Sequence, residues 1–220
     1  MRLRHVKNAE ERLQIDDNKY YISNPKEMKG KWREKFNNSN PIHLEIGCGK
    51  GQFIVGKALA NPDINFIAVE KFNSVLLRAL EKILALEKEI NNLYIMVIDA
   101  EYLNEYFIDG EIDKIYLNFS DPWPKARHAK RRLTSEVFLD HYKHVLAKDG
   151  EIEFKTDNRG LFEYSLESLN RNGFLMYNIS LDLHKDLEKY PDNITTEFED
   201  KWSKLGPIYH LEAKLKWNLY

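Results

Sequence analysis

Short runs of β-branched and aromatic residues alternate with longer stretches of helical period along most of this chain. The runs predict strands at Ile42–Ile46, Asn65–Val69, Leu93–Ile98, Lys114–Phe119, Glu151–Thr156, Phe174–Ser180 and Ile208–Lys216. Between them, helices are predicted over Gln52–Ala60, Val75–Glu89, Thr134–Ala147, Asn158–Asn172 and Thr196–Leu205. The clearest has Leu76, Leu77, Leu80, Ile83, Leu84 and Leu86 on one wide apolar stripe. Thr134 is positioned to cap its helix. Such alternation predicts an α/β fold, a mixed sheet of about seven strands with helices on both faces. Residues 1–40 stand outside this pattern. They read as an N-terminal arm and a basic helix, Pro25–Phe36, packed on a core domain spanning 41–220.

Composition narrows the class. Of 220 residues, 43% are hydrophobic and 12% aromatic, enough to bury a substantial core and to exclude disorder over the whole length. The net charge of −2 excludes binding to nucleic acid through bulk charge, so any such contact needs a local patch. The single cysteine, Cys48, excludes an intrachain disulfide and fits a reducing compartment. The opening Met1–Lys7 leads into charged residues without an apolar region, and no stretch approaches a membrane span. A cytoplasmic location is the expectation.

The first chemical signal is Glu45-Ile46-Gly47-Cys48-Gly49-Lys50-Gly51-Gln52, where the first strand turns into a helix. Alternate glycines allow a sharp turn and close approach to a ligand. Gln52 occupies the last glycine position of a dinucleotide loop, which argues against a pyrophosphate at the helix N-terminus. Glu70 closes the second strand, where a carboxylate can accept from both ribose hydroxyls. Asp99, followed by Ala100, ends the third strand at a position facing an adenine edge. Glu45, just before the glycines, suits a ligand bearing cationic groups, and S-adenosylmethionine is one. Each acid alone is more often an ordinary surface acid; the set, strand by strand, points to a nucleoside cofactor.

The second signal follows the fourth strand: Ser120-Asp121-Pro122-Trp123-Pro124-Lys125, then Arg127, His128, Lys130, Arg131 and Arg132. Ligands of open α/β sheets bind beyond the carboxyl ends of the strands, so this loop reaches over the cofactor crevice. Its prolines stiffen Asp121 and Trp123, a carboxylate and a ring suited to a purine. The basic run, at the mouth of such a site, reads as a phosphate-gripping element for a polynucleotide. No Cys/His cluster for a metal is present.

These segments resemble the signature of bacterial tRNA (guanine-N7)-methyltransferases. The likeness extends to Phe154-Lys155-Thr156-Asp157-Asn158 and Thr196-Glu197-Phe198-Glu199, and covers residues 20–215 in matching order. It implies a Rossmann-like class I methyltransferase that uses S-adenosylmethionine, releases S-adenosylhomocysteine and methylates N7 of guanosine 46 in the tRNA variable loop. By resemblance, Glu45, Gly47, Gly49, Gly51, Glu70, Asp99, Ala100 and Asp121 line the cofactor site, and Asp121 is the catalytic residue. Lys125, Asp157, Thr196, Glu197, Phe198 and Glu199 would contact tRNA, and Arg127, His128, Lys130, Arg131 and Arg132 match the RNA-interacting stretch. Phe198 stands where tyrosine is common in the family. Two of these residues have a second reading: Asp157 as a cap of the following helix, and Thr196 with Glu199 as a capping box. Rival functions are methylation of another base or of a protein side chain, since amino-methylating enzymes carry a similar Pro-Pro-aromatic loop, and a non-catalytic RNA-binding module. Monomer and homodimer are both open.

Overall fold

The structure is a computed structural model and describes residues 6–15 and 19–216; the N-terminal tip Met1–His5 of the sequence reading lies outside the described residues. Seven strands form one sheet: β1 (Ile42–Ile46), β2 (Asn65–Glu70), β3 (Leu93–Val97), β4 (Ile112–Asn118), β5 (Leu146–Thr156), β6 (Phe174–Ser180) and β7 (Tyr209–Leu215). Their order is β3-β2-β1-β4-β5-β7-β6. The neighbours from β3 to β5 pair in parallel, while β7 runs antiparallel to both β5 and β6. The direction of progression reverses between β1 and β4, so the loops leaving these two strands diverge and open a crevice at the sheet's carboxyl edge.

Helices α1 (Ala9–Ile15), α3 (Gln52–Ala60) and α4 (Asn73–Leu84) cover one face; α2 (Trp32–Phe36), α5 (Glu136–Val145) and α6 (Arg159–Arg171) cover the other. The helix α7 (Glu197–Trp202) belongs to the long connection from β6 to β7. Strands buried on both sides need apolar residues pointing both ways, and β2 meets this with Phe66 and Ala68 against α3 and α4, and Ile67 and Val69 on the reverse. Phe66, Ile67 and Val69 each contribute roughly 1.5–3 kcal/mol by burial, so these two apolar layers hold the site's framework in place.

The described residues before β1 are woven into this core. Tyr20 O accepts from Ile95 N (2.8 Å) and Ile22 N donates to Ile95 O (3.0 Å), which extends the sheet beyond β3. Trp32 is fully buried, stacked on Phe107 at 5.8 Å. The expected basic helix Pro25–Phe36 is two pieces, a 3-10 turn Pro25–Met28 and α2, because Gly30 between them adopts φ +74°. The helix expected over Thr134–Ala147 starts later and is not capped by Thr134. That hydroxyl is buried and bonds Ser165 Oγ at 2.7 Å, and Ser135 takes the N-cap position. Leu146–Gly150, with its Lys-Asp-Gly turn signal, runs instead as the first half of β5, held by pairing of Leu146 with Ile112. Among the described residues no helix is long and apolar enough to cross a membrane.

Candidate active site

Gly47, Gly49 and Gly51 all take positive φ (75°, 58° and 80°), a conformation that disfavours any side chain. The turn is tied to β2 by Val69 O, which accepts from Gly47 N (2.8 Å) and Cys48 N (3.1 Å). No heavy atom lies within 4 Å of where a Cβ would stand on Gly47 or Gly49, so the turn offers open backbone to a ligand. Gly51 needs its lack of side chain for packing too, since a Cβ there would meet Ala79 Cβ at 2.9 Å.

Beneath the turn, Glu45 is buried, with Oε1 accepting from Asn118 Nδ2 at 2.9 Å. Glu45 Oε2, Asn118 Oδ1 and Ser120 Oγ are buried without a hydrogen-bond partner. Three oxygens left unpaired at the ends of β1 and β4 are costly unless a donor-rich group completes them. Burial pushes the Glu45 carboxyl up to about 7, against the lowering effects of the Asn118 bond and the Lys155 charge. An ammonium group would satisfy these oxygens and favour the ionised carboxylate. The residues present therefore fit the amino-acid end of S-adenosylmethionine.

Glu70 lies at the next strand end, with Oε1 accepting from Lys71 N (2.8 Å) and Phe72 N (3.2 Å) and Oε2 from Gly49 N (3.3 Å). These bonds fix the carboxylate between the glycine turn and α4. Its pKa is raised, mainly by burial and in lesser part by the nearby charge of Asp121, while the three backbone donors oppose the rise. Asp99 accepts from Glu101 N (3.2 Å) and pairs with Lys71 Nζ (2.5 Å), and Ala100 follows it in a buried position. The structure thus brings Glu45, Glu70, Asp99 and Asp121 to one edge of the sheet, at the ends of four adjacent strands.

Asp121 is exposed at the start of the Asp-Pro-Trp-Pro turn. Phe119 (φ +51°) and Trp123 (φ +40°) both have left-handed backbones. Trp123 precedes Pro124, a context that favours extended backbone, so its conformation stores on the order of 1–3 kcal/mol. Arg131 lies over the Trp123 ring at 4.9 Å and His128 meets the ring edge at 5.7 Å. Lys125, Arg127 and Lys130 are exposed, whereas Arg132 is half-buried. Its Nε donates to Pro122 O and its Nη2 to Trp123 O, both at 3.0 Å, above the Tyr164 ring at 4.2 Å. The even basic stretch expected from the sequence therefore has one member turned inward.

Asp157 is exposed past β5, and the capping role belongs to its neighbour Asn158, whose Oδ1 accepts from Leu161 N at 2.8 Å. Thr196 does cap α7, accepting from Glu199 N at 2.9 Å. The reciprocal half of the capping box is absent because the Glu199 carboxylate points the other way. Glu199 is fully buried, bonded to Lys155 Nζ (2.7 Å), His184 Nε2 (3.0 Å) and Asn193 Nδ2 (3.1 Å). Its oxygens anchor the loop to β5, so the structure does not bring this expected RNA contact to the surface. Glu197 pairs with Lys82 of α4. Phe198, 39% exposed, stacks on Trp202 (5.5 Å) and meets the Phe119 ring at a tilt (5.0 Å), where a tyrosine hydroxyl is not needed for the contact.

Three residues have a place at the site that the sequence reading did not give them. Asn118 shares a sheet face with Glu45 by its position on β4, a signal legible only once β1 and β4 are known to be neighbours. Lys155 is completely buried, with three acceptors all from residues 193–199. Gln52 donates to Asp200 Oδ2 at 2.7 Å, fastening α3 to the same segment. Away from this edge, Glu153, His210 and Glu212 lie close enough to ligate a metal, but the Lys114 ammonium already bridges Glu153 and Glu212 at 2.9 Å each.

A seven-stranded sheet with an antiparallel β7 and an acid-rimmed glycine turn at its switch point defines a class I, Rossmann-like methyltransferase. Solved structures share the fold: the 16S rRNA methyltransferase KamB has a TM-score of 0.63 at 12% identity, over 84% of this chain and 93% of that one. An antibiotic-related methyltransferase has a TM-score of 0.61 at 18% identity, over 84% and 91%. The profile of a family described as "Putative methyltransferase" matches residues 39–211. Curated tRNA (guanine-N(7)-)-methyltransferases are similar over nearly the whole length. That of Lactococcus lactis subsp. cremoris (strain MG1363) is 53% identical, covering 97% of this chain and 98% of the relative. That of Listeria innocua serovar 6a is 54% identical over the same shares. The chain belongs to the tRNA (guanine-N7)-methyltransferase family.

Proposed function

We propose that this chain transfers a methyl group from S-adenosylmethionine to N7 of guanosine 46 in the variable loop of tRNA. The observation that carries the reading is identity above one half to relatives named for that activity, along almost the full length of both chains. The site chemistry supports it. Guanine N7 has a free lone pair in the neutral base, so no proton has to be removed before attack. The bound donor supplies an electrophilic methyl carbon on a sulfonium; the protein's part is alignment.

Glu45, Asn118 and Ser120 would hold the donor's ammonium end. The glycine turn would present open backbone along it, Glu70 would receive the ribose hydroxyls, and Asp99 with Ala100 would bound the base. Asp121, between this hollow and solvent, accepts hydrogen bonds from guanine N1–H and the exocyclic amine. Its carboxylate offsets the positive charge that grows on the ring as N7 is alkylated. Phe119 and Phe198 form an aromatic ledge beside it on which the base rests. Lys125, Arg127, Lys130 and Arg131 contact backbone phosphates around the loop, and Asp157 stands on the same edge to meet the substrate.

Incubation with labelled donor and an unmodified tRNA transcript, followed by mapping of the modified nucleotide, tests the reading; label on an exocyclic amine or on protein would overturn it. Asp121→Ala should lower turnover by about a hundredfold or more while leaving tRNA affinity nearly unchanged. Near-normal turnover in a folded variant would remove Asp121 from the mechanism.

A further inference from the structure

We propose that Arg132 is a positioning residue for methyl transfer, clamping the Asp121–Trp123 turn rather than gripping a tRNA phosphate. This rests on the reading that the turn serves methyl transfer. Prolines at 122 and 124 remove two N–H donors from the turn, so it cannot close on itself through those positions. The carbonyls of Pro122 and Trp123 need donors from elsewhere, and the Arg132 fork supplies one to each at 3.0 Å. A planar guanidinium can bridge two consecutive carbonyls in a fixed direction, which a lysine ammonium does less well. Tyr164 of α6 supports the guanidinium from below at 4.2 Å. The clamp thus joins the loop after β4 to the helix after β5. It also holds Trp123 in the left-handed conformation that a residue before proline otherwise avoids. With Nε and Nη2 turned inward, Arg132 differs from its exposed neighbour Lys130.

The test compares Arg132→Ala, Arg132→Lys and Lys130→Ala with the unaltered chain, using labelled S-adenosylmethionine and an unmodified tRNA transcript at several salt concentrations. Arg132→Ala should lower kcat by about tenfold to a hundredfold, the cost of misplacing a reacting group by about an ångström. Its KM for tRNA and the salt dependence of that KM should stay within about twofold of the unaltered chain. Amide exchange in a peptide covering 117–125 should speed up. Arg132→Lys should recover only part of kcat, and Lys130→Ala should raise KM and flatten its salt dependence. If Arg132→Ala fails to fold, Tyr164→Leu should lower kcat in the same sense and Tyr164→Phe, which keeps the ring, should restore it. A raised KM, a flatter salt dependence and an intact kcat in Arg132→Ala would overturn the clamp, as would equal kcat in Tyr164→Leu and Tyr164→Phe. Absence of tRNA methylation by the unaltered chain would instead sink the functional reading beneath it.

Discussion

The Glu45 carboxyl, pushed up to about 7 by burial, makes one side chain a burden on the empty fold and an asset to the loaded one. Between pH 4.5, its ordinary value, and pH 7 the folded chain retains a proton that the unfolded chain has released. Stability of the donor-free protein should therefore fall as pH rises through that window, by on the order of 3 kcal/mol at pH 8. Glu45→Gln should raise the thermal midpoint by several degrees at pH 8 and change it little near pH 4.5, read by scanning calorimetry. The same variant should bind S-adenosylhomocysteine poorly. For the unaltered chain, titration calorimetry should show that affinity fall by about tenfold per pH unit below 7. A flat affinity profile would separate Glu45 from the ammonium. At this scale the sequence told much: the acids at 45, 70, 99 and 121 were visible because each lies at or just past the carboxyl end of a strand. The orientation of Arg132 and Glu199 was hidden, because neither burial nor the direction of a long side chain follows from the local pattern.

Among the elements, the connection from β6 to β7 is tied to the sheet by the buried ammonium of Lys155. Lys155 ties Asn193, Ile194 and Glu199 to β5, and Gly56 makes room for Ile194, whose Cγ2 would lie 2.7 Å from a Cβ on that glycine. Lys155→Met should cost about 3–5 kcal/mol in urea unfolding, because it leaves the Glu199 carboxylate buried without its cation. Adding Glu199→Gln should recover part of that loss. Amide exchange over 190–200 should locate the loosening there. Strand positions were legible to within a residue or two wherever apolar alternation was strong. Leu146–Gly150 failed because strand pairing with Ile112 overrides a Lys-Asp-Gly sequence that alone favours a turn. The basic segment Pro25–Phe36 failed because one glycine divides it.

For the molecule as a whole, a net charge of −2 coexists with a cationic lip beside the crevice. Replacing Lys125, Arg127 and Lys130 together by alanine should weaken tRNA binding and reduce the slope of log affinity against log salt by roughly two, as three phosphate contacts would require. Filter binding across a salt series measures it, and an unchanged slope would return the lip to plain solvated surface. The fold class was readable from strand-helix alternation, but the place of β7 in the sheet was not: nothing local marks a final strand as an insertion between two earlier ones. That placement governs the order of assembly during translation. Among the described residues β6 has its strand partner in β7 alone, so it can pack on α6 but forms no ladder until residues 209–215 have been made. The connection bearing Thr196 and Phe198 is likewise held at both ends only after β7 has threaded beside β5. A nascent chain halted before that point has its glycine turn but lacks the strand that seats this connection beside β5.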